Sequence, residues 1–168
     1  LRVKAQGGWD PVTVLRMVNL IVQPDMPKAM FISAVYGILD LATNVFRLCR
    51  AGHEPSLVVR ARTGEVEELC PAGMALGLDP GALFDECLEE EVVTLEPQDM
   101  LVLYTDGITE TANPEGEEFG RERLSAVLRE SRHLPLAEIR QQVDRALCAF
   151  AFNAPAADDR TLLLVRPR

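Results

Sequence analysis

Two acidic segments of the sequence carry residue types that could bind a metal ion. Asp106 and Gly107 lie just past the end of one apolar run, and Asp158 and Asp159 lie just before the beginning of another. If the two runs form antiparallel neighbours in a sheet, the end of one meets the beginning of the other, so three carboxylates would converge at one edge. Two such charges ~4 Å apart repel by about 4 kcal/mol at an intermediate dielectric, unless protons or cations neutralise them. A bound cation would resolve this repulsion.

The chemistry of these donors indicates which cation to expect. Oxygen ligands without His or Cys favour the hard ions Mg²⁺ and Mn²⁺, which keep water molecules that can act as nucleophiles. Gly107 would let the backbone approach the ion or its water shell closely. A simpler interpretation stays open for each segment, since Asp-Gly after a strand is often a turn and Asp-Asp before a strand is often solvated.

The apolar pattern predicts the elements that would position these carboxylates. Helices are predicted from Asp10 to the prolines at 24 and 27, at 121–130 and at 135–152. Strands are predicted at 30–39, 45–50, 57–61, 65–69, 91–95, 100–104 and 161–165. Hairpins early in the chain and helices later favour an antiparallel α+β fold over a doubly wound sheet. The run 100–104 is apolar throughout, which predicts a central strand covered on both faces.

Length and charge exclude several classes of protein. The 168 residues predict one domain covering 1–168. The formal net charge is −9, and residues 63–120 contain 16 of the 26 acidic residues with no Lys or Arg. A protein that binds nucleic acid needs the opposite sign, so we expect no such partner. We also expect no membrane span, because the apolar runs are far shorter than the ~20 residues that one requires. The four widely spaced cysteines predict free thiols in a reducing cytoplasm.

Six segments together resemble a known family, the bacterial type 2C-like metal-dependent serine/threonine phosphatases. The similar branch contains the sporulation phosphatase and the stress-response regulators of sigma-factor partner switching. In chain order the segments are 30–40 (MFISAVYGILD), 51–55 (AGHEP), 73–77 (GMALG), 95–107 (LEPQDMLVLYTDG), 116–120 (GEEFG) and 158–161 (DDRT). Each segment alone is weak, but six in the family's order are specific and cover nearly the whole chain.

The resemblance implies a fold, a cofactor and a reaction. The fold would be an antiparallel β-sandwich flanked by helices, the α-β-β-α phosphatase fold. Two Mn²⁺ or Mg²⁺ ions in a complete site would activate water for attack on phosphoserine or phosphothreonine. By position, Asp106 and Asp158 would be metal ligands, Asp159 an adjacent or alternative ligand, and Gly107 their close-packed backbone neighbour. The expected substrate is a phosphorylated regulatory protein of the bacterial cytoplasm, such as an anti-sigma-factor antagonist.

One family motif is absent, a Gly-Asp-x-Ser-Gly-Lys-Gly type segment near the N-terminus whose Asp and following Gly hold both metals. Asp106-Gly107 is the only Asp-Gly in the chain. We therefore expect an N-terminally truncated domain that lacks its first strands and is inactive by itself. The unpaired strand edges of such a domain favour pairing with another chain, so a homodimer is one expected assembly.

Other interpretations remain open. His53 could donate to a phosphate or to a metal-bound water, but a structural bond within its own Gly-His-x-Pro loop is the favoured reading. The chain could be a non-catalytic pseudophosphatase, that is, a protein-interaction module that binds a partner without turnover. A purely structural acidic domain is the third alternative, and it predicts no dependence on metal.

Overall fold

A computed structural model describes residue 8, residues 10–152 and residues 158–167. The helices are α1 (Pro11–Val22), α2 (Ala82–Cys87), α3 (Asp106–Thr109), α4 (Gly120–Ser131) and α5 (Leu136–Phe150). The strands are β1 (Ala34–Asp40), β2 (Val45–Ala51), β3 (Ser56–Val59), β4 (Val66–Leu69), β5 (Glu90–Thr94), β6 (Met100–Tyr104) and β7 (Leu162–Val165). Two compact units result, Leu1–Pro55 with Leu69–Thr94, and Ser56–Glu68 with Leu95–Arg168. The expectation of a single domain over 1–168 stays a prediction.

The sheet of the first unit has the order β1-β2-β5 and is antiparallel. Its first two strands form the predicted hairpin, in which Asp40 pairs with Val45. The turn forms because an Asp40 carboxylate oxygen accepts the Ala42 N–H at 2.8 Å, and because Asn44 adopts a left-handed φ of 55°. The described part of β1 begins four residues later than predicted, at Ala34. Ile32 forms only an isolated bridge to Leu76, and the left-handed Ala29 (φ 67°) interrupts the extended chain before it.

Helix α1 begins where the sequence indicates. Asp10 is its N-cap and accepts the Thr13 N–H at 2.9 Å, while Pro11 occupies the first turn, where a missing N–H costs nothing. A 3₁₀ turn at Gln23–Asp25, which contains Pro24, ends the helix. The buried face of α1 contributes to the core of the first unit, whose buried members are Leu15, Cys49, Ala51, Leu76, Phe84 and Leu88.

The sheet of the second unit has the order β4-β3-β6-β7, so β6 is central, as its apolar composition predicts. Successive side chains of a strand point to opposite faces. Met100, Val102 and Tyr104 of β6 therefore share one face, where they join the buried core with residues from α4 and α5. The other core members are Leu57, Val59, Ile108, Phe119, Leu124, Leu128, Ile139, Val143 and Leu147. The two antiparallel sheets and the later helices confirm the predicted α+β class.

Two short helices, α2 and α3, were not predicted from the sequence. Helix α2 follows a Gly- and Pro-rich segment, and Asp79 starts it by accepting the N–H groups of Gly81, Leu83 and Phe84 at 2.9–3.3 Å. Helix α3 has only four residues and directly follows β6. Neither is long enough to show helical periodicity.

All four cysteines are free, as predicted. Cys49 is buried in the first unit, and this burial raises the pKa of its thiol to about 12. Cys70 and Cys148 are exposed. Among the described residues, no helix combines the length and the apolar character needed to cross a membrane.

Candidate active site

The pairing of β6 with β7 brings the two acidic segments to the same sheet edge. The strands are antiparallel, and Tyr104 lies opposite Leu162. One residue further on, the Thr105 N–H donates to the Thr161 carbonyl at 3.1 Å. The end of β6 therefore meets the beginning of β7, and this is the arrangement that the sequence predicts for the segments of Asp106 and Asp158.

Gly107 is required at this edge for steric reasons. A Cβ atom at position 107 would overlap the Asp159 carbonyl oxygen and lie 3.1 Å from the carbonyl carbon. Any other residue would push the two backbone segments apart. Gly107 is thus a close-packed neighbour of the Asp158–Asp159 segment, and its position beside a metal stays a prediction.

The three carboxylates are exposed, and two of them are oriented by the amide that follows them. An Asp106 carboxylate oxygen accepts the Gly107 N–H at 2.9 Å, and an Asp158 carboxylate oxygen accepts the Asp159 N–H at 2.7 Å. The Asp106 carbonyl accepts the Glu110 N–H at 2.7 Å, which closes the single turn of α3. Each of these two side chains is held at the edge by bonds within its own segment.

The donors suit a hard divalent cation, because they are carboxylate oxygens open to solvent on two adjoining segments. The backbone of Gly107 lies close to the backbone of the Asp158–Asp159 segment. Within residues 8, 10–152 and 158–167, no three His, Cys, Asp or Glu side chains gather closely enough to hold a metal. The ligand roles of Asp106, Asp158 and Asp159 therefore stay predictions.

Three further side chains that the sequence analysis did not single out hold this edge together. The Thr105 hydroxyl donates to the Asp159 carbonyl at 3.1 Å, and the Arg160 Nε and Thr111 hydroxyl donate to the Gly107 carbonyl at 3.3 and 2.9 Å. The bonds of Thr105 and Arg160 join segments that are more than 50 residues apart in the sequence, whereas the bond of Thr111 is local. The sequence offers only a weak signal for them, since each lies within five residues of a candidate ligand.

A small pocket of about 140 Å³ adjoins this edge within the second unit. Its lining residues are Gly107, Glu110, Thr111, Ala112, Ala151, Asp158 and Arg160. It therefore combines acidic side chains with one guanidinium group beside the candidate ligand Asp158.

His53 lies in the first unit, in the loop after β2. Its Nδ1 lies 3.1 Å from the Ser33 hydroxyl, and its carbonyl accepts an Arg50 guanidinium N–H at 2.8 Å. The ring thus bonds a side chain from before β1, whereas the favoured expectation was a bond within its own loop. A role for His53 beside a phosphate stays a prediction.

Asp99 anchors the opposite end of β6. It is 1% exposed and accepts the backbone N–H groups of Ala61 and Glu96 at 2.9 and 3.0 Å. The Arg60 guanidinium donates to it at 2.7 Å and also to Glu67 at 2.6 and 2.7 Å. The strand that ends at the candidate site therefore begins at an ionic network whose Asp99 carboxylate is buried and whose Arg60 and Glu67 side chains are 20% and 35% exposed.

Solved structures with the same fold define the class of this chain. The PP2C domain of SiaA from Pseudomonas aeruginosa superposes with a TM-score of 0.80 at 25% identity, over 98% of this chain and 63% of that one. The phosphatase domain of the cell fate determinant SpoIIE from Bacillus subtilis, in a crystal presoaked with Mn, superposes with a TM-score of 0.63 at 20% identity, over 96% of this chain and 68% of that one. The fold is that of a PP2C-type phosphatase domain.

The chain belongs to the stage II sporulation protein E (SpoIIE) family, whose sequence profile matches all of residues 1–168. This confirms the resemblance to type 2C-like bacterial phosphatases. Two relatives are protein IcfG of Synechocystis, 33% identical over 100 residues, and the phosphoserine phosphatase RsbU of Bacillus subtilis, 28% identical over 111 residues. The matched regions are 60% and 66% of this chain but only 15% and 32% of these two relatives.

Proposed function

We propose that this chain is the phosphatase domain of a metal-dependent protein phosphatase that hydrolyses phosphoserine or phosphothreonine on a bacterial regulatory protein. The meeting of Asp106 with the Asp158–Asp159 segment at one sheet edge is the observation that carries the proposal. Membership of the SpoIIE family and the relative named as a phosphoserine phosphatase support it.

In this proposal each residue of the edge has a distinct part. Asp106 and Asp158 would hold Mn²⁺ or Mg²⁺, with Asp159 as an adjacent or alternative ligand, and Gly107 lets the two segments lie in contact. When bound, such ions would activate water and neutralise the charge of the phosphoryl oxygens. A solved relative soaked with Mn supports the choice of a divalent cation. The exposed carboxylates leave the edge open to a phosphorylated side chain of another protein.

The proposed partner rests on the resemblance of the sequence to the phosphatases of sigma-factor partner switching. From it we infer an anti-sigma-factor antagonist in the cytoplasm as the substrate of this domain. The net charge of −9 favours a protein partner over nucleic acid. A homodimer formed through an unpaired strand edge stays a prediction.

The test is the substitution Asp106→Asn in the full-length native protein. It keeps the size of the side chain and its hydrogen bond to the Gly107 N–H, but removes the charge that would attract a cation. We expect Mn²⁺-dependent phosphate release from a phosphoserine protein to fall by about 100-fold or more. Phosphate release is measured over a range of Mn²⁺ concentrations.

Asp144→Asn is the matched control, because it makes the same chemical change on α5. Asp144 is 55% exposed and pairs only with Arg140, one turn away at 2.9 Å, among the described residues. Phosphate release should be unchanged in this variant. Full activity in Asp106→Asn would overturn the assignment. A wild-type protein that binds the phosphoprotein without releasing phosphate at saturating Mn²⁺ would instead support the non-catalytic alternative.

A further inference from the structure

Thr105 stands at the N-cap of α3 but does not cap it. Its backbone is extended (φ −98°, ψ 158°), as an N-cap residue requires, yet its side chain makes no hydrogen bond to the first turn of the helix. The hydroxyl instead crosses to the other acidic segment. It donates to the Asp159 carbonyl at 3.1 Å and accepts the Thr161 N–H at 2.9 Å.

These bonds extend the pairing of β6 and β7 beyond the strands. The ladder proper ends where Tyr104 faces Leu162. The Thr105 N–H then donates to the Thr161 carbonyl at 3.1 Å, so the backbone and hydroxyl of one residue make three bonds to the segment 159–161. The residues bound in this way lie directly beside the exposed carboxylates, where no regular ladder holds the chain.

We propose that Thr105 is a positioning residue for the metal site. Its hydroxyl holds the Asp158–Asp159 backbone against Asp106 and Gly107, so that carboxylates from both segments can serve one divalent cation. The close contact between Gly107 and the Asp159 carbonyl supports this assignment, because such a contact needs bonds that prevent the two segments from separating. The inference rests on the proposed function, since it assumes that the edge binds a divalent cation.

Three substitutions separate the hydroxyl from the rest of the side chain. Thr105→Val keeps the shape and the β-branch but removes both hydroxyl bonds, whereas Thr105→Ser keeps the hydroxyl and loses a methyl group. Thr105→Ala provides a second loss of the hydroxyl if the valine variant does not fold. Ser131→Ala is the matched control, because it removes a hydroxyl that donates to a carbonyl, Val127 O at 2.6 Å, within α4.

The primary measurement is the affinity of the full-length protein for Mn²⁺ alone, by isothermal titration calorimetry. Thr105→Val and Thr105→Ala should weaken it by about 10- to 100-fold, the usual loss for residues that orient metal ligands. Thr105→Ser should restore affinity to within about 3-fold of wild type, and Ser131→Ala should leave it unchanged. The Mn²⁺ concentration that gives half-maximal phosphate release should shift in parallel.

The possible results distinguish failure of the positioning role of Thr105 from failure of the proposed phosphatase function. Unchanged Mn²⁺ affinity in folded Thr105→Val overturns the positioning role while the proposed function stands. Equal losses in Thr105→Val and Ser131→Ala also overturn it, because they indicate general destabilisation. A wild-type protein that binds Mn²⁺ but releases no phosphate overturns the proposed function, and the comparison of affinities still decides the role of Thr105. A wild-type protein that binds no Mn²⁺ overturns both.

Discussion

The two units stabilise their loops with buried polar groups of different kinds. In the first unit the group is the neutral amide of Asn19 on α1, which is fully buried. It donates to the Asp79 carbonyl and accepts the Gly77 N–H, both at 2.9 Å. The amide thus ties the loop before α2 to α1 with one donor and one acceptor, and without burying a charge.

In the second unit the corresponding group is charged. The Asp99 carboxylate accepts two backbone N–H groups and the Arg60 guanidinium. Hydrogen bonds to Glu67 and Asp99 raise the pKa of Arg60 above its usual value, the bond to Glu67 having the larger effect. Hydrogen bonds to charged groups are stronger than those between neutral groups, but a buried charge that loses its partner is costly. The network at the start of the strand that leads to the candidate site therefore contains the stronger hydrogen bonds, and the loss of one of its groups should cost more free energy.

The largest effect on stability is expected from Asp99→Ala. It leaves the N–H groups of Ala61 and Glu96 without their acceptor and removes a carboxylate that pairs with Arg60. We expect the free energy of unfolding in urea to fall by about 3 kcal/mol or more. Glu67→Gln, at a side chain that is 35% exposed, should cost about 1 kcal/mol or less. Equal costs for the two variants would show that burial does not set the strength of this network.

Asn19→Ala should have a smaller effect. It removes two neutral hydrogen bonds and leaves the Asp79 carbonyl and the Gly77 N–H unpaired, which costs about 2 kcal/mol. Amide hydrogen exchange, read by mass spectrometry, should rise in peptides of the first unit, whereas Asp99→Ala should raise it in β3 and β6. An equal rise in both units from either substitution would contradict the view that the two anchors act separately.

The smallest effect is expected at the N-cap of α1. Asp10→Ala should cost about 1 kcal/mol at pH 7, and Asp10→Asn less, because Asn caps nearly as well. The Thr13 backbone N–H and then its hydroxyl lower the pKa of Asp10 in the folded protein. The stabilisation by its charge is therefore complete above the unfolded pKa of ~3.9 and is lost as the pH falls through the lower folded value.

The charge of Asp10 makes the stability that this cap contributes dependent on pH, unlike that of the neutral Asn19 amide. The stability difference between wild type and Asp10→Asn, measured by urea unfolding from pH 7 down to pH 2, should disappear at the acidic end. A difference that stays constant over the whole range would show that the charge of Asp10 contributes nothing. Asn19→Ala should show no such dependence of its own, since the Asn19 amide does not titrate.

The elements that could be predicted from the sequence are those that depend on neighbouring residues or on a regular apolar pattern. The α1 cap at Asp10 depends on a residue three positions away, and the central strand β6 on its own uninterrupted apolar run. The candidate edge was predictable only on the condition that the two strands near Asp106 and Asp158 pair as antiparallel neighbours, and the pairing of β6 with β7 meets that condition. Helix α2 was not predictable, because its start depends on several bonds to one Asp side chain in a Gly- and Pro-rich segment.

The α+β class and the family could be recognised in the sequence, because periodicity and motif order express these features residue by residue. The meeting of the two acidic segments required the pairing of β6 with β7, and the polar groups that hold this edge are known only from the folded structure. The hydroxyl of Thr105 bonds a segment 54 residues away, and the carboxylate of Asp99 bonds an amide 38 residues away. These bonds form because strands that are distant in the sequence pack side by side. A local sequence pattern cannot predict them, since it does not show which strands become neighbours.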